Sequence, residues 1–209
     1  MSAPRKEPNG SSVHADAEIL DTALGLFAEV GIRRSSPDDI ARRAGINRAT
    51  LYRRLGSKQE IVRAALLQEV GEVRMVIAAE VDRIGDPVEQ IAHGFALTVQ
   101  ALRTNRILSK TLAVDMSETL ELLTTGAGEV LGLAVEFTED WLLKAVPNLP
   151  EVEELAGLIV RLMHSLVVTP DAAPRLRTHE ELHGFALRWV VPLADLANTR
   201  GGTQGAERV

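Results

Sequence analysis

The sequence contains no cysteine, and aromatic residues make up only 3% of its 209 positions. The lack of cysteine excludes disulfide bonds and thiolate ligands for a metal, and it favours a reducing compartment such as the cytoplasm. Apolar residues nevertheless reach 45%, so a core must be built from Leu, Val, Ile and Ala. This composition favours packed helices over sheets, in which aromatic and β-branched residues concentrate.

Long apolar runs are also missing. No run approaches the roughly 18–20 residues that cross a membrane. The N-terminal stretch lacks the apolar segment of a signal peptide. We therefore expect a cytoplasmic protein without a membrane partner.

Catalytic motifs are missing as well. The chain has no Walker loop, no dinucleotide-binding glycine fingerprint, no His-Glu-x-x-His pair and no Gly-x-Ser-x-Gly turn. Its five histidines are dispersed along the sequence, and His179 and His183, one helical turn apart, lack a third metal ligand nearby. We therefore predict that the protein is not an enzyme and needs no metal and no cofactor.

The most informative stretch is residues 36–58, SPDDIARRAGINRATLYRRLGSK. Ser36 is a good N-cap for a first short helix, and Gly45 can take the left-handed conformation that ends it. Asn47 then caps a second helix by accepting the Thr50 amide. Two helices joined by about three or four residues that include Gly are typical of a helix-turn-helix motif.

The second helix of the motif has one inward and one outward face. Leu51 is placed toward the core, whereas Arg48, Ala49, Tyr52 and Arg53 share the opposite face. Arginine can bond guanine O6 and N7 bidentately, and alanine can contact a thymine methyl group. The face therefore suits a DNA major groove.

The start of the next helix adds a contact to the backbone of DNA. Ser57 and Glu60 have the spacing of a capping box, and Lys58 falls in the first helical turn. Because a lysine there opposes the helix dipole, a phosphate partner is favoured.

Charge is distributed unevenly along the chain. The net charge is −6, yet residues 33–63 hold nine basic and three acidic side chains, a local charge of +6. The remainder therefore has a charge of −12. A basic module on an acidic body is expected when one end of a protein meets nucleic acid.

At these residues the chain resembles the DNA-binding domain of the tetracycline-repressor (TetR) family of bacterial transcription regulators. The resemblance covers Ile19 to Glu69, and the shared pattern is Ala23, Phe27, Gly31, then Ile40-Ala41, Ala44-Gly45-Ile46, Thr50-Leu51-Tyr52 and Ser57-Lys58. It implies an all-α fold, in which an N-terminal three-helix helix-turn-helix domain is joined by a long helix to a C-terminal helical ligand-binding and dimerisation domain. It also implies a nucleoid-associated homodimer that represses by binding a palindromic double-stranded DNA operator and that is released by a small-molecule effector.

The resemblance also implies roles for individual residues. The residues expected to contact bases are Arg48, Ala49, Tyr52 and Arg53, and those expected to contact phosphates are Ser36, Thr50, Tyr52 and Lys58. Leu55 stands where the family usually has an aromatic residue, and Arg54 where it often has His or Tyr. These two departures leave the base preference open.

Helical periodicity and breaks predict four regions: a disordered arm at 1–14, the helix-turn-helix domain at 15–68, a helical domain at 69–197 and a disordered tail at 198–209. A helix over 57–84 contains the boundary between the two domains. The helices predicted beyond it are 88–102, 105–115, 117–123, 130–146, 151–169 and 179–197. Pro192 is expected to kink or fray the last of these helices.

The last two helices have more apolar residues than one packing face requires. We predict that they form a four-helix homodimer interface with their symmetry copies. The predicted interface residues are Leu155, Ile159, Leu162, Leu166, Phe185, Trp189 and Leu193. The alternative is that both faces belong to the core of a monomer.

The resemblance places the effector among the middle helices. The candidate lining residues are His93, Gln100, Met116, Phe137, Trp141 and His164. The low aromatic content and the absence of a recognisable buried charge cluster favour an apolar, uncharged effector. The alternative is a DNA-anchored regulator that acts through protein partners without a ligand, and a ligand cavity would distinguish the two.

Overall fold

The structure, a computed structural model, describes residues 10–114, 128–195 and 197. Its helices are α1 (Gly10–Val30), α2 (Pro37–Arg43), α3 (Arg48–Leu55), α4 (Lys58–Val81), α5 (Pro87–Thr104), α6 (Arg106–Val114), α7 (Gly128–Ala145), α8 (Val152–Val168) and α9 (His179–Phe185). A π-helical turn, Ala186–Val190, follows α9, and helical backbone continues over 191–195. No strand occurs among these residues, which agrees with the predicted all-α fold.

Local residue chemistry sets the ends of the first helices as predicted. Ser36 caps α2 by accepting the Asp39 amide at 3.1 Å, and Asn47 caps α3 by accepting the Thr50 amide at 2.7 Å. Gly45, with a φ of +68°, takes the left-handed conformation that turns the chain between these two helices. The helix-turn-helix is thus fixed by short-range hydrogen bonds.

The N-terminal helix is longer than the sequence pattern predicts. It begins at Gly10 rather than at Ala15, so the last part of the arm predicted at 1–14 is helical. Within this helix Asp16 accepts a hydrogen bond from Arg54 Nε at 2.5 Å, which ties α1 to α3. The rest of the predicted arm, the helix predicted at 117–123 and the tail predicted at 198–209 lie outside the described residues.

The described chain divides into two compact units within α4, between Glu72 and Val73. The first contains residues 10–72 and 106–114, and the second contains 73–105, 128–195 and 197. The predicted boundary between residues 68 and 69 lies on the same helix. The prediction differs for α6, which it assigned to the second domain and which packs in the first unit.

The core of the first unit explains the position of α6. Phe27, Leu51 and Ile61 are fully buried in it, and Ile107 from α6 is buried in the same cluster. Because α6 lies about 80 residues after α1 in the sequence, periodicity alone did not show this contact.

The second unit packs α5, α7, α8 and α9 around an apolar core. Phe95 on α5, Leu142 on α7 and Ile159 on α8 are fully buried there. Arg103 donates from Nη2 to the Leu166 carbonyl at 2.7 Å and from Nε to the same oxygen at 3.2 Å. Both bonds reach the Leu166 carbonyl, one of the carbonyl groups at the end of α8 that the helix itself leaves unpaired.

The helix that Pro192 was predicted to kink or fray contains the π-helical turn just before this proline and continues beyond it. The Val191 amide donates to the Ala186 carbonyl, five residues earlier. A proline at 192 has no amide hydrogen and would clash with the carbonyl four residues before it in an α-helix. Widening the preceding turn relieves that clash.

None of the helices within the described ranges has the length and apolar character needed to span a membrane.

Candidate nucleic-acid interface

Helix α3 presents the predicted base-contacting residues on its outward side. Leu51 is fully buried, whereas Arg48, Ala49 and Arg53 are exposed and Tyr52 is half-buried. The structure therefore places the four residues together on one accessible face. Their contact with bases stays a prediction.

Arg48 is held in position by two neighbours. Its Nη1 lies 3.0 Å from Asp38 Oδ2 on α2, and its guanidinium carbon lies 5.3 Å from the centroid of the Tyr52 ring. The hydrogen bond with the Tyr52 hydroxyl and then the charge of Asp38 raise the pKa of Arg48. The side chain is therefore charged and directed by both helices of the motif. Sequence reasoning missed the role of Asp38, although its place in the first turn of α2 was visible.

Three of the four predicted phosphate-contacting residues already make side-chain bonds within the protein, and one of them is Tyr52, whose hydroxyl accepts from Arg48. The Ser36 hydroxyl donates to Asp39 Oδ2 at 2.5 Å. Lys58 Nζ donates to the Arg33 carbonyl at 3.1 Å and thereby ties the start of α4 to the loop before α2. Thr50, the fourth residue, is half-buried. Phosphate contact by these residues stays a prediction, and Lys58 must share or exchange its carbonyl partner to reach a phosphate.

The predicted capping box at the start of α4 is confirmed. The Ser57 amide donates to Glu60 Oε2 at 2.7 Å, and the Glu60 amide donates to the Ser57 hydroxyl oxygen at 3.3 Å. The bond from the Ser57 backbone, and then that from its side chain, lower the pKa of Glu60. Gly56, whose φ is +79°, permits the sharp turn that leads from α3 into this box.

The two departures from the family pattern make internal contacts. Leu55 is half-buried against the core of the first unit, and Arg54 pairs with Asp16 of α1. Both residues therefore support the fold of the helix-turn-helix unit.

The residues predicted to line an effector pocket all fall in the second unit, except Met116, which lies outside the described residues. Gln100 Oε1 lies 3.2 Å from Nδ1 of His179, whose Nε2 lies 3.2 Å from Nδ1 of His93. On α7, the Phe137 ring is covered by Arg74, whose guanidinium carbon lies 4.0 Å from the ring centroid.

The other two pocket candidates are half-buried and lie on α7 and α8. Trp141 packs against Gly94 of α5, and its buried indole Nε1 has no hydrogen-bond partner among the described residues. His164 lies on α8. The structure therefore connects His93 and Gln100, both on α5, through His179. Trp141 of α7 packs against the same helix.

Three histidines that sequence reasoning treated as dispersed come together between α5 and α9. Ring centroids lie 4.8 Å apart for His93 and His179 and 6.2 Å apart for His179 and His183. His183 Nε2 also lies 2.8 Å from Glu89 Oε2. Burial first, and then the neighbouring His93 and His183, lower the pKa of His179. The four-residue spacings of Glu89 with His93 and of His179 with His183 were the only local signals. No metal-binding group of histidine and carboxylate side chains occurs in the described ranges.

The residues predicted to form a dimer interface have unequal exposure. Leu155, Ile159 and Leu166 are buried in the chain's own core, and Leu162 and Phe185 are half-buried against it. Trp189 is 60% exposed and Leu193 is 39% exposed. Leu158, which the prediction omitted, is 59% exposed. The interface itself stays a prediction, and Leu158, Trp189 and Leu193 are exposed and accessible to a partner.

A helix-turn-helix with two arginines and a tyrosine on its outward face defines a class of DNA-binding proteins. Residues 19–65 match the family model of the bacterial regulatory proteins of the tetR family. Residues 86–188 match the model of the bacterial tetracyclin repressor C-terminal domain. This chain belongs to the TetR family of bacterial transcriptional regulators. The resemblance seen in the sequence is confirmed, and with it the expectation of a regulator rather than an enzyme.

Relatives and solved structures agree with this assignment. The HTH-type transcriptional regulator AlkX of Mycobacterium tuberculosis is 28% identical over 162 residues, which cover 74% of this chain and 75% of the relative. The TetR family repressor AlkX from Dietzia sp. strain DQ12-45-1b, implicated in biodegradation of n-alkanes, has a TM-score of 0.67 at 20% identity, and the match covers 86% of this chain and 95% of that chain. RolR in complex with resorcinol has a TM-score of 0.58 at 14% identity, and the match covers 90% and 94% of the two chains. At these identities the two solved structures show a shared fold.

Proposed function

We propose that this protein is a ligand-responsive transcriptional repressor. It binds a palindromic operator as a homodimer, and a small, mostly apolar effector releases it. The observation that supports this proposal best is the outward face of α3, where Arg48, Tyr52 and Arg53 lie together within the helix-turn-helix of a TetR-family regulator.

The contact with DNA divides into two kinds. Arg48 and Arg53 bond base edges in the major groove, and Ala49 contacts a thymine methyl group. Ser36, Thr50 and Lys58 bond phosphate oxygens, which fix the position of the protein on the duplex without selecting its sequence. Tyr52 contributes to both kinds of contact.

The homodimer is supported by exposed apolar residues on α8 and on the helical segment that follows α9. Leu158, Trp189 and Leu193 leave large apolar side chains in solvent, and such residues usually cluster at interfaces. Pairing α8 and the last helix with their symmetry copies covers them in a four-helix arrangement.

An uncharged effector is supported by the interior of the second unit. Among the described residues, the buried polar residue of this unit is Thr138, and no charged residue is buried there. The buried Trp141 indole N–H without a partner suits an effector that has a hydrogen-bond acceptor on an otherwise apolar body. Resorcinol, which is bound to RolR, has hydroxyl oxygens that can accept such a bond, whereas the n-alkanes named with the Dietzia AlkX match only the apolar part of such a site.

Release follows from the geometry that a dimer needs on DNA. Two recognition helices must lie about 34–36 Å apart, or a multiple of that distance, to enter successive major grooves on one side of the duplex. Helix α4 contains residues of both compact units. An effector that shifts α4 changes the separation of the recognition helices, so effector and operator weaken each other's binding by the same factor.

The test is to map the operator and then measure effector affinity with and without saturating operator DNA. A panel that contains resorcinol, other small phenols and medium-chain alkanols supplies the first probes. We expect operator DNA to weaken effector binding by about 1–3 kcal/mol. Equal affinities in the two conditions would instead support a DNA-anchored regulator that acts through protein partners.

A further inference from the structure

The first unit contains a cavity of about 680 Å³ that the DNA contacts do not use. It lies among the end of α1, the helix α2 and the middle of α6. Four cations line it together with two apolar side chains: Arg34, Arg42, Arg43, Lys110, Leu26 and Val30. A volume of this size is typical of sites for small organic ligands, about 300–1,000 Å³.

The positive charge of the cavity is only partly neutralised. Arg43 Nη2 lies 2.8 Å from Glu29 Oε2, and Arg42 bonds Asp39, so both carboxylates in the lining are already paired. Arg34 and Lys110 form no ion pair or hydrogen bond within the described part of the chain. The lining therefore keeps two positive charges that have no partner among the residues the structure describes.

The apolar part of the lining indicates more than a simple inorganic ion. Leu26 is 7% exposed and Val30 is half-buried, so the two side chains form an apolar wall beside the cations. A ligand that satisfies both features has at least two negative charges and an apolar or aromatic portion.

We propose that this basic cavity binds a small organic dianion or polyanion, in which phosphate or carboxylate groups meet Arg34 and Lys110 and the remainder lies against Leu26 and Val30. This site shares no residue with the effector site proposed above. It gives the DNA-binding unit a ligand of its own.

A chain of hydrogen bonds connects the cavity with the proposed DNA contacts. Asp39, which lines the cavity, bonds Arg42 there and accepts the Ser36 hydroxyl at 2.5 Å. The bond with Ser36 first and that with Arg42 second lower the pKa of Asp39. The chain of bonds therefore runs from the cavity to Ser36 at the N-terminal end of α2, where a DNA phosphate is proposed to bind.

The experiment uses the full chain and two probes, inorganic pyrophosphate and ADP, titrated calorimetrically at constant ionic strength without DNA. The test variant is Arg34→Gln with Lys110→Gln. The matched control is Arg83→Gln with Arg175→Gln, which removes the same charge from the second unit. We expect saturable binding of both probes, tighter for ADP because its base adds apolar contact. We also expect about a tenfold or greater loss in the test variant, because two charge-assisted bonds are removed, and little change in the control.

Three results would overturn the proposal. Saturation by neither probe would mean that the cavity is a solvated basic surface. An equal loss in the control variant would mean that binding depends only on net charge. In a separate arm without probes, operator affinity is measured against salt; a fall in the salt slope of about one unit per removed cation would assign Arg34 and Lys110 to DNA phosphates instead. The calorimetric measurements contain no DNA, so their outcome does not depend on whether the protein is a repressor.

Discussion

Asp38 of α2 forms an ion pair with Arg48 of α3, in which Oδ2 lies 3.0 Å from Nη1. Both side chains remain more than half exposed, Asp38 at 55% and Arg48 at 60%. Exposed ion pairs contribute little net stability, about 0–1 kcal/mol. Asp38 therefore directs the Arg48 guanidinium without binding it strongly, and a guanine in the major groove can replace this partner at small cost. The contact also joins the two helices of the motif on the side where DNA is proposed to bind.

Replacing Arg48 and replacing Lys58 by alanine should impair DNA binding in different ways. Arg48→Ala should cost about 1–3 kcal/mol in operator binding and relax preference at one position of each half-site. Lys58→Ala should weaken all sequences about equally and lower the salt slope by about one unit per bound protomer. Binding to operator variants over a range of salt measures both effects. Thermal unfolding serves as a control, because Lys58 also bonds the Arg33 carbonyl. Equal loss of specificity in the two variants would show that these roles are misassigned.

Assembly should depend on the exposed residues of the last helices. Leu158→Glu with Trp189→Glu should give folded monomers, since both side chains are mostly in solvent in the single chain. Leu166→Glu should instead unfold the second unit, because Leu166 is 5% exposed in its core. Sedimentation velocity and circular dichroism separate the two outcomes. A folded wild-type monomer at micromolar concentration would contradict the proposed homodimer.

Stability should fall in mild acid because of His179. Its pKa is lowered below the usual 6.5 in the folded chain, so the unfolded chain binds a proton more readily. The free energy of unfolding is therefore unaffected by this group above about pH 6.5. It decreases as the pH falls from there toward the lowered pKa of His179. The groups around the ring are His93 and Gln100 on α5, and His183, which pairs with Glu89.

Urea unfolding between pH 8 and pH 5.5 measures this effect. His179→Gln should flatten the loss of stability toward acid, whereas His14→Gln, which changes an exposed histidine on α1, should leave it as in the wild type. A wild-type stability that stays constant or rises toward acid would argue against the lowered pKa.

Gly94 should be intolerant of a side chain. A Cβ at this position would lie 2.6 Å from Cζ2 and 2.8 Å from Cε2 of Trp141, so Gly94→Ala must displace the indole ring at a cost of about 1–3 kcal/mol. Gly157→Ala is the matched control within α8, where nothing lies within 4 Å of the new Cβ; it should stabilise by about 0.4–1 kcal/mol. Chemical unfolding measures both changes, and tryptophan fluorescence in a Trp189→Phe background reports the displacement of Trp141. Similar effects of the two substitutions would contradict the close packing.

The features of the site that could be predicted are those fixed by neighbours in sequence. Ser36, Asn47 and the Ser57–Glu60 box form hydrogen bonds over three residues, and Gly45 turns the chain through its own backbone conformation. The periodicity of α3 also separates Leu51 from the outward residues. Such short-range chemistry is almost independent of the rest of the fold, so the sequence alone specifies it.

The features that could not be predicted depend on distant partners. His93 and His179 are 86 positions apart, and no local pattern states that α5 and α9 pack side by side. In α8, Leu158 and Ile159 are adjacent apolar residues with opposite exposures, 59% and 1%. When an apolar stripe is wider than one packing face, the sequence does not indicate which of its residues are buried in the core of the single chain. For the same reason the sequence assigned Leu155 and Ile159 to an interface when the core already covers them.

The π-helical turn before Pro192 determines which residues of the last helix stay inside. Leu182, Ala186, Val190 and Ala194 follow one another at intervals of four, and each is at most 1% exposed. An α-helix advances about 100° per residue, so this series would rotate about 120° out of line over its length. The wider turn absorbs one residue and reduces the deviation to about 20°. Removing one residue within 186–190 would therefore restore an uninterrupted α-helix and keep Leu182 and Ala194 on the same buried face. A relative that has such an α-helix, without the wider turn, should align here with a single-residue gap.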